Sequence, residues 1–92
     1  MYIVRSTKAY RKAYKRILRH KDFVQHDLDV VIDALAVGEK LSTGYRDHQL
    51  SGDLKNYREC HVGNDILLVY QKHEGILVLL LVDLGSHDSL FR

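Results

Sequence analysis

Lys55-Asn56-Tyr57-Arg58-Glu59-Cys60-His61-Val62, Gly63-Asn64-Asp65, Ile66-Leu67-Leu68-Val69-Tyr70-Gln71-Lys72, His73-Glu74-Gly75 and Ile76-Leu77-Val78-Leu79-Leu80-Leu81-Val82-Asp83-Leu84 follow one another without a break. Three runs rich in β-branched, aromatic and aliphatic residues alternate with two short groups of turn-forming residues, the pattern of a β-meander. Strands are predicted over residues 55–62, 66–72 and 76–84. The last is apolar on both faces, which places it inside the sheet.

Upstream of the meander, residues 39–53 show no sustained period and contain Gly44 and Gly52, so they read as a loop. Before that loop, Leu28, Val31, Ile32 and Leu35 recur at helical spacing. Asp22 is the expected N-cap of this helix, with Gln25 in the capping-box position and Gly38 as the stop. An earlier helix, residues 7–20, carries the apolar stripe Tyr10, Ala13, Tyr14, Ile17 and Leu18, with Ser6 or Thr7 as cap. The short link between the helices makes them antiparallel, and residues 2–5 alternate enough for a first strand. The predicted class is α+β: two antiparallel helices on a small antiparallel sheet, formed by a short N-terminal strand and the three-stranded meander. Ninety-two residues support one core, so residues 1–92 are read as one domain.

The net charge of +2 hides a segregation. All eight basic residues of the first 21 precede the first acid, Asp22, and the remaining 71 residues carry 6 basic and 12 acidic groups. Lys8, Lys12, Lys15 and Arg19 project opposite the apolar stripe, which suits a polyanion; the plainer alternative is a solvated face balanced by the acidic second helix. The longest strongly apolar run, residues 76–82, has seven residues against about 20 for a membrane span. The first residues do not read as a signal peptide, and Cys60 is the only cysteine. Both points favour the cytoplasm, and a single cysteine excludes four-cysteine and Cys2His2 zinc sites.

Alternation places Tyr57, Glu59 and His61 on one sheet face, and Arg58, Cys60 and Val62 on the other. A carboxylate and an imidazole two residues apart can cooperate in proton transfer. His48 lies in the upstream loop, Asp65 at the next turn and His87 beyond the last strand. His20, His26 and His73 read as surface or hydrogen-bonded histidines, and Cys60 as a buried small hydrophobe. His48, Glu59, His61 and Asp65 include metal-ligating types, but their spacing matches no metal motif, so neither metal nor cofactor is expected.

Four blocks together carry a resemblance: Tyr45-Arg46-Asp47-His48-Gln49-Leu50, Leu54 to Val62, Asp65 to Tyr70, and Leu84-Gly85-Ser86-His87-Asp88-Ser89-Leu90-Phe91. In order and spacing they resemble YafQ-type toxins of the RelE/ParE superfamily, over about half the chain. Gln49 stands where that family often has proline, and Glu59 where aspartate also occurs. The resemblance implies a RelE-like fold and a ribosome-dependent endoribonuclease, or mRNA interferase. Such an enzyme cuts mRNA in the ribosomal A site and is silenced by a cognate antitoxin. Catalytic candidates carried over by motif are His48, His61, Asp65 and His87. Glu59, Phe91 and Arg58 are supporting or substrate-positioning, and Lys8, Lys12, Lys15 and Arg19 are candidate contacts to ribosomal RNA. Cleavage would use attack by the ribose 2′-OH with His48 as base and His87 as acid, roles that the sequence alone leaves interchangeable. The alternative is a non-catalytic relative, a gyrase-type poison or an interaction module.

Overall fold

The computed structural model describes residues 1–90. Phe91, a positioning candidate, lies outside them. The elements are β1 (Ile3–Ser6), α1 (Lys8–Ile17), α2 (Gln25–Ala36), β2 (His48–Gln49), β3 (Arg58–His61), β4 (Ile66–His73), β5 (Val78–Ser86) and α3 (His87–Leu90). They form one five-stranded sheet of order β1-β5-β4-β3-β2.

The meander is present with β5 inside the sheet, but the expectation of a purely antiparallel sheet fails at β1. That strand pairs parallel with β5, Ile3 opposite Val78 and Ser6 opposite Leu81. Two helices separate the meander from β1, so the chain returns to its edge in the same direction. The predicted loop also contributes an extra strand, β2, and 3₁₀ turns at Thr43–Tyr45 and Gly52–Leu54. β5 starts at Val78 instead of residue 76, because the turn is closed by Leu77 at φ 53°. The Leu77 carbonyl accepts the Ile3 N–H at 2.7 Å.

Thr7 caps α1 through its Oγ1, which accepts the Tyr10 N–H at 3.0 Å and donates to the Val82 carbonyl at 2.7 Å. One side chain therefore starts the helix and ties it to β5. Asp22, expected to cap α2, does not: α2 begins after Val24, with no side-chain cap. The chain uses residues 18–24 to bury Phe23 against Tyr14, edge to face at 6.3 Å, before it turns helical. Gln25 works inside the helix, accepting from the Tyr14 hydroxyl and donating to Asp29 at 2.9 Å. Gly38, at φ 83°, ends α2 as predicted.

Tyr10, Ala13 and Ile17 of α1 and Leu28, Val31 and Leu35 of α2 bury against Cys60, Val62, Ile66, Leu68, Tyr70, Leu79, Leu81 and Leu84. The helices cover this face only. Between β4 and β5 the register slips at Val69/Tyr70: Val69 faces Asp83, but Tyr70 faces Leu81. That bulge bends the strand and increases its twist. Glu59, Leu67, Val69 and Asp83 are left on the face away from the helices, where the short α3 folds back. Among the described residues no helix is long and apolar enough to cross a membrane.

Candidate active site

β2 exists because its two flanks are tied to β3 from opposite faces. His48 pairs with Glu59 and Gln49 with Arg58. On the helix-covered face, Asp47 is held by Arg58 through Nη2 at 3.2 Å and Nε at 3.4 Å, and by the hydroxyl of buried Tyr70 at 2.5 Å. Burial alone would lower the Arg58 pKa, but hydrogen bonds and charge from Asp47 and Tyr70 outweigh it and raise it above the ordinary value. Burial, reinforced by the Asp47 hydrogen bond, likewise raises the Tyr70 pKa. Arg58 is thus committed to a clasp on the helix side, away from the face that carries Glu59. Tyr70→Phe should cost about 1–2 kcal/mol in urea unfolding, because Asp47 loses a donor in a mostly buried setting. A change below about 0.3 kcal/mol would mean that the clasp does not hold the loop.

With Asp47 turned to one face, His48 turns to the other. Its Nδ1 lies 2.6 Å from the carbonyl of Arg46, which sits at φ 50°. A carbonyl only accepts, so Nδ1 carries hydrogen and Nε2 is left for proton transfer. Nε2 stands 3.5 Å from Oε1 of Glu59, whose side chain is 4% exposed. The other carboxylate oxygen of Glu59, Oε2, is buried with no hydrogen-bond partner among the described residues.

His61 follows Glu59 by two residues on β3 and brings its ring to 6.5 Å from that of His87. His87 reaches this place because β5 runs directly into α3. Gly85 permits the fold-back: a Cβ there would collide with Ser89 Oγ and lie 3.3 Å from Leu90. Asp65 joins through its backbone, its carbonyl accepting the His87 N–H at 3.3 Å. Its carboxylate instead groups with His20 and Asp22, all three offering ligand atoms within 4.8 Å of one another. His20 Nδ1 already accepts the Asp22 N–H at 3.1 Å. The neutral ring therefore keeps its proton on Nε2, a donor toward a carboxylate rather than a lone pair for a cation.

Four of the expected residues thus lie along one face in two contacts, His48 with Glu59 and His61 with His87, and Asp65 supports the second through its main chain. Lys8, Lys12 and Lys15 are exposed on α1, and Arg19 is exposed just past its end, since the helix stops at Ile17 short of the expected residue 20. Two features had no part in the sequence-based expectation. Asp83 shares the face of Glu59, and a hollow of about 570 Å³ beside His61 is lined by His26, Asp27 and Tyr45 among others. Cys60 is fully buried, as expected, and desolvation, with the negative charges of Asp47 and Glu59, pushes its thiol up to about 12. It should resist alkylation at neutral pH and react only once the chain is unfolded. Stoichiometric labelling of native protein within minutes would contradict that placement.

Comparison with known proteins agrees with this fold. A family model described as "Bacterial toxin of type II toxin-antitoxin system, YafQ" matches residues 2–92. A curated relative from Haemophilus influenzae, "Putative toxin YafQ", is 48% identical over 31 residues, 34% of this chain and 30% of the relative. The matched part thus spans under a third of that relative's length. A metal-bound toxin from Helicobacter pylori is 40% identical, with 99% of this chain and 100% of that one covered and a TM-score of 0.88. YafQ from E. coli BL21(DE3) is 26% identical over the whole of both chains, with a TM-score of 0.86. The chain in the E. coli DinJ–YafQ complex is 28% identical over the same extent, with a TM-score of 0.85. The chain belongs to the YafQ family of bacterial type II toxin–antitoxin toxins.

Proposed function

We propose that the chain is a ribosome-dependent endoribonuclease that cleaves mRNA in the ribosomal A site and is neutralised by a cognate antitoxin. The observation that carries the reading is the row His48, Glu59, His61, His87 along the sheet face turned away from α1 and α2. Cutting RNA by internal transfer requires a proton taken from the 2′-OH, a proton given to the 5′-oxygen, and charge stabilised at phosphorus. His48 takes the first proton at Nε2, with Nδ1 anchored on the Arg46 carbonyl, and the Glu59 carboxylate favours the imidazolium that results. His87 gives the second proton. His61 lies beside it and supplies hydrogen bonding to the phosphate, and Asp65 fixes the start of α3 through its carbonyl. The reaction is assigned no metal or other cofactor. Phe91, at the end of the chain, stacks on a base in this scheme.

The ribosome supplies what the small enzyme lacks, a held and oriented strand. Lys8, Lys12, Lys15 and Arg19 meet ribosomal RNA phosphates, which position the enzyme without reading sequence. That assigns the protein to the cytoplasm, where its mRNA substrate is translated. The DinJ–YafQ complex of the E. coli relative supports an antitoxin partner here. Replacing Lys8, Lys12, Lys15 and Arg19 by glutamate should weaken ribosome binding at least about tenfold near 0.15 M salt, with the fold intact because each is exposed. Binding indifferent to both salt and charge reversal would remove the helix from the interface. A chain that binds ribosomes and produces no new RNA ends would be a non-catalytic poison instead.

A further inference from the structure

Glu59, Val69 and Asp83 stand in one row across β3, β4 and β5, since Glu59 pairs with Val69 and Val69 with Asp83. Strands lie about 4.8 Å apart, so the two acids border a floor roughly 10 Å wide with a valine between them. Leu50, Leu54, Tyr57 and Leu90 wall this floor into a hollow of about 250 Å³. That is below the roughly 300–1,000 Å³ of sites for drug-sized ligands, the scale of a single ring system.

The acids at its base are incompletely satisfied. Glu59 Oε2 is buried with no hydrogen-bond partner among the described residues. Asp83 Oδ1 accepts the Leu84 N–H at 2.8 Å, which leaves Oδ2 for another donor. Both acids line the hollow, and an ionised carboxylate only accepts, so the hollow is complementary to a ligand that brings N–H groups. Two carboxylates repel a phosphate at this range. Apolar walls with a tyrosine favour a flat ring.

We propose that this hollow is a base-recognition subsite for a nucleobase that carries an exocyclic amine. The inference rests on the RNA-cleavage reading, because the hollow adjoins the His48–Glu59 contact and would hold a base next to the scissile phosphate. Adenine, cytosine and guanine present amino N–H groups that a carboxylate accepts. Uracil presents carbonyl oxygens on either side of one N–H, and these would face the acids.

The test needs neither ribosomes nor cleavage, so it can fail while the nuclease reading stands. The full chain, labelled at leucine and valine methyls, is titrated with cytidine and with uridine, uncharged nucleosides that differ chiefly in the amine. Cytidine should shift the Leu50, Leu54, Val69 and Leu90 methyls, with uridine weaker by about tenfold or more. Asp83→Asn keeps an oxygen for the Leu84 N–H and adds a donor, so it should narrow that preference while the rest of the spectrum stays folded. Equal shifts from both nucleosides, shifts elsewhere, no shift, or an unchanged ratio in Asp83→Asn would each overturn the subsite.

Discussion

His87→Ala should lower cleavage of ribosome-bound mRNA by about 10²- to 10⁴-fold, the typical contribution of one general acid–base group, and His48→Ala should do the same. Both rings are on exposed residues, so neither truncation opens a core cavity and stability should change by less than about 0.5 kcal/mol. The fall therefore lies in the chemical step rather than in folding. It should appear in single-turnover rates, measured by primer extension on programmed ribosomes, with ribosome binding unaltered. His61→Ala should cost less, because this residue aids the phosphate and transfers no proton in the proposed scheme. A rate within about threefold of wild type in either His48→Ala or His87→Ala would take that histidine out of the chemistry.

Leu68→Ala should destabilise the domain by about 2–5 kcal/mol, a large part of the roughly 5–15 kcal/mol available to a domain. Leu68 is fully buried on β4, facing Cys60 on β3 and Leu84 on β5 in the middle of the helix-covered face. Its truncation leaves a hole where both helices and three strands meet. The melting temperature should fall by at least about 8 °C, since 1 kcal/mol corresponds to roughly 4–8 °C in a domain of this size. A loss under about 1 kcal/mol would mean that the helices do not close tightly on that face.

Some of this was legible in the sequence. The turn residues at 63–65 and the apolar runs around them located β3, β4 and β5, because period-two patterning and turn chemistry are local signals. The cap at Thr7, the buried stripe of α1 and the stop at Gly38 are local too. Pairing is not. Nothing in residues 3–6 indicates that they lie parallel to β5, and β2 has two residues in a segment without any period. Its place is set by Asp47 reaching Arg58 and Tyr70, eleven and 23 positions away. Asp22 has the local signature of a cap, but the chain packs Phe23 against Tyr14 first and the helix starts past it.

The site shows the same division. Glu59 and His61 were assigned to one face by alternation, which the structure bears out. The placement of Asp83 is not legible in the sequence, for a physical reason. Leu79, Leu81 and Leu84 all face the helices, and that is compatible only with an extra residue at Val82. The bulge that supplies it reverses the parity of the strand and turns Asp83 toward Glu59's face. A strand apolar on both sides gives no hint of such a reversal. Asp65 came out as a main-chain acceptor for His87, with its carboxylate beside His20 and Asp22, a contact between segments some 45 residues apart.

The chemistry of the cut ends distinguishes 2′-OH transfer by paired histidines from every other way of breaking the strand. Purified protein is added to ribosomes stalled on a defined mRNA, and the termini of the fragments are identified. Attack by the 2′-OH with histidines moving the protons predicts cleavage only when ribosomes are present, leaving a 2′,3′-cyclic phosphate on one fragment and a 5′-hydroxyl on the other. Intact mRNA, or fragments bearing 3′-hydroxyl and 5′-phosphate ends made by an attacking water, would contradict the account.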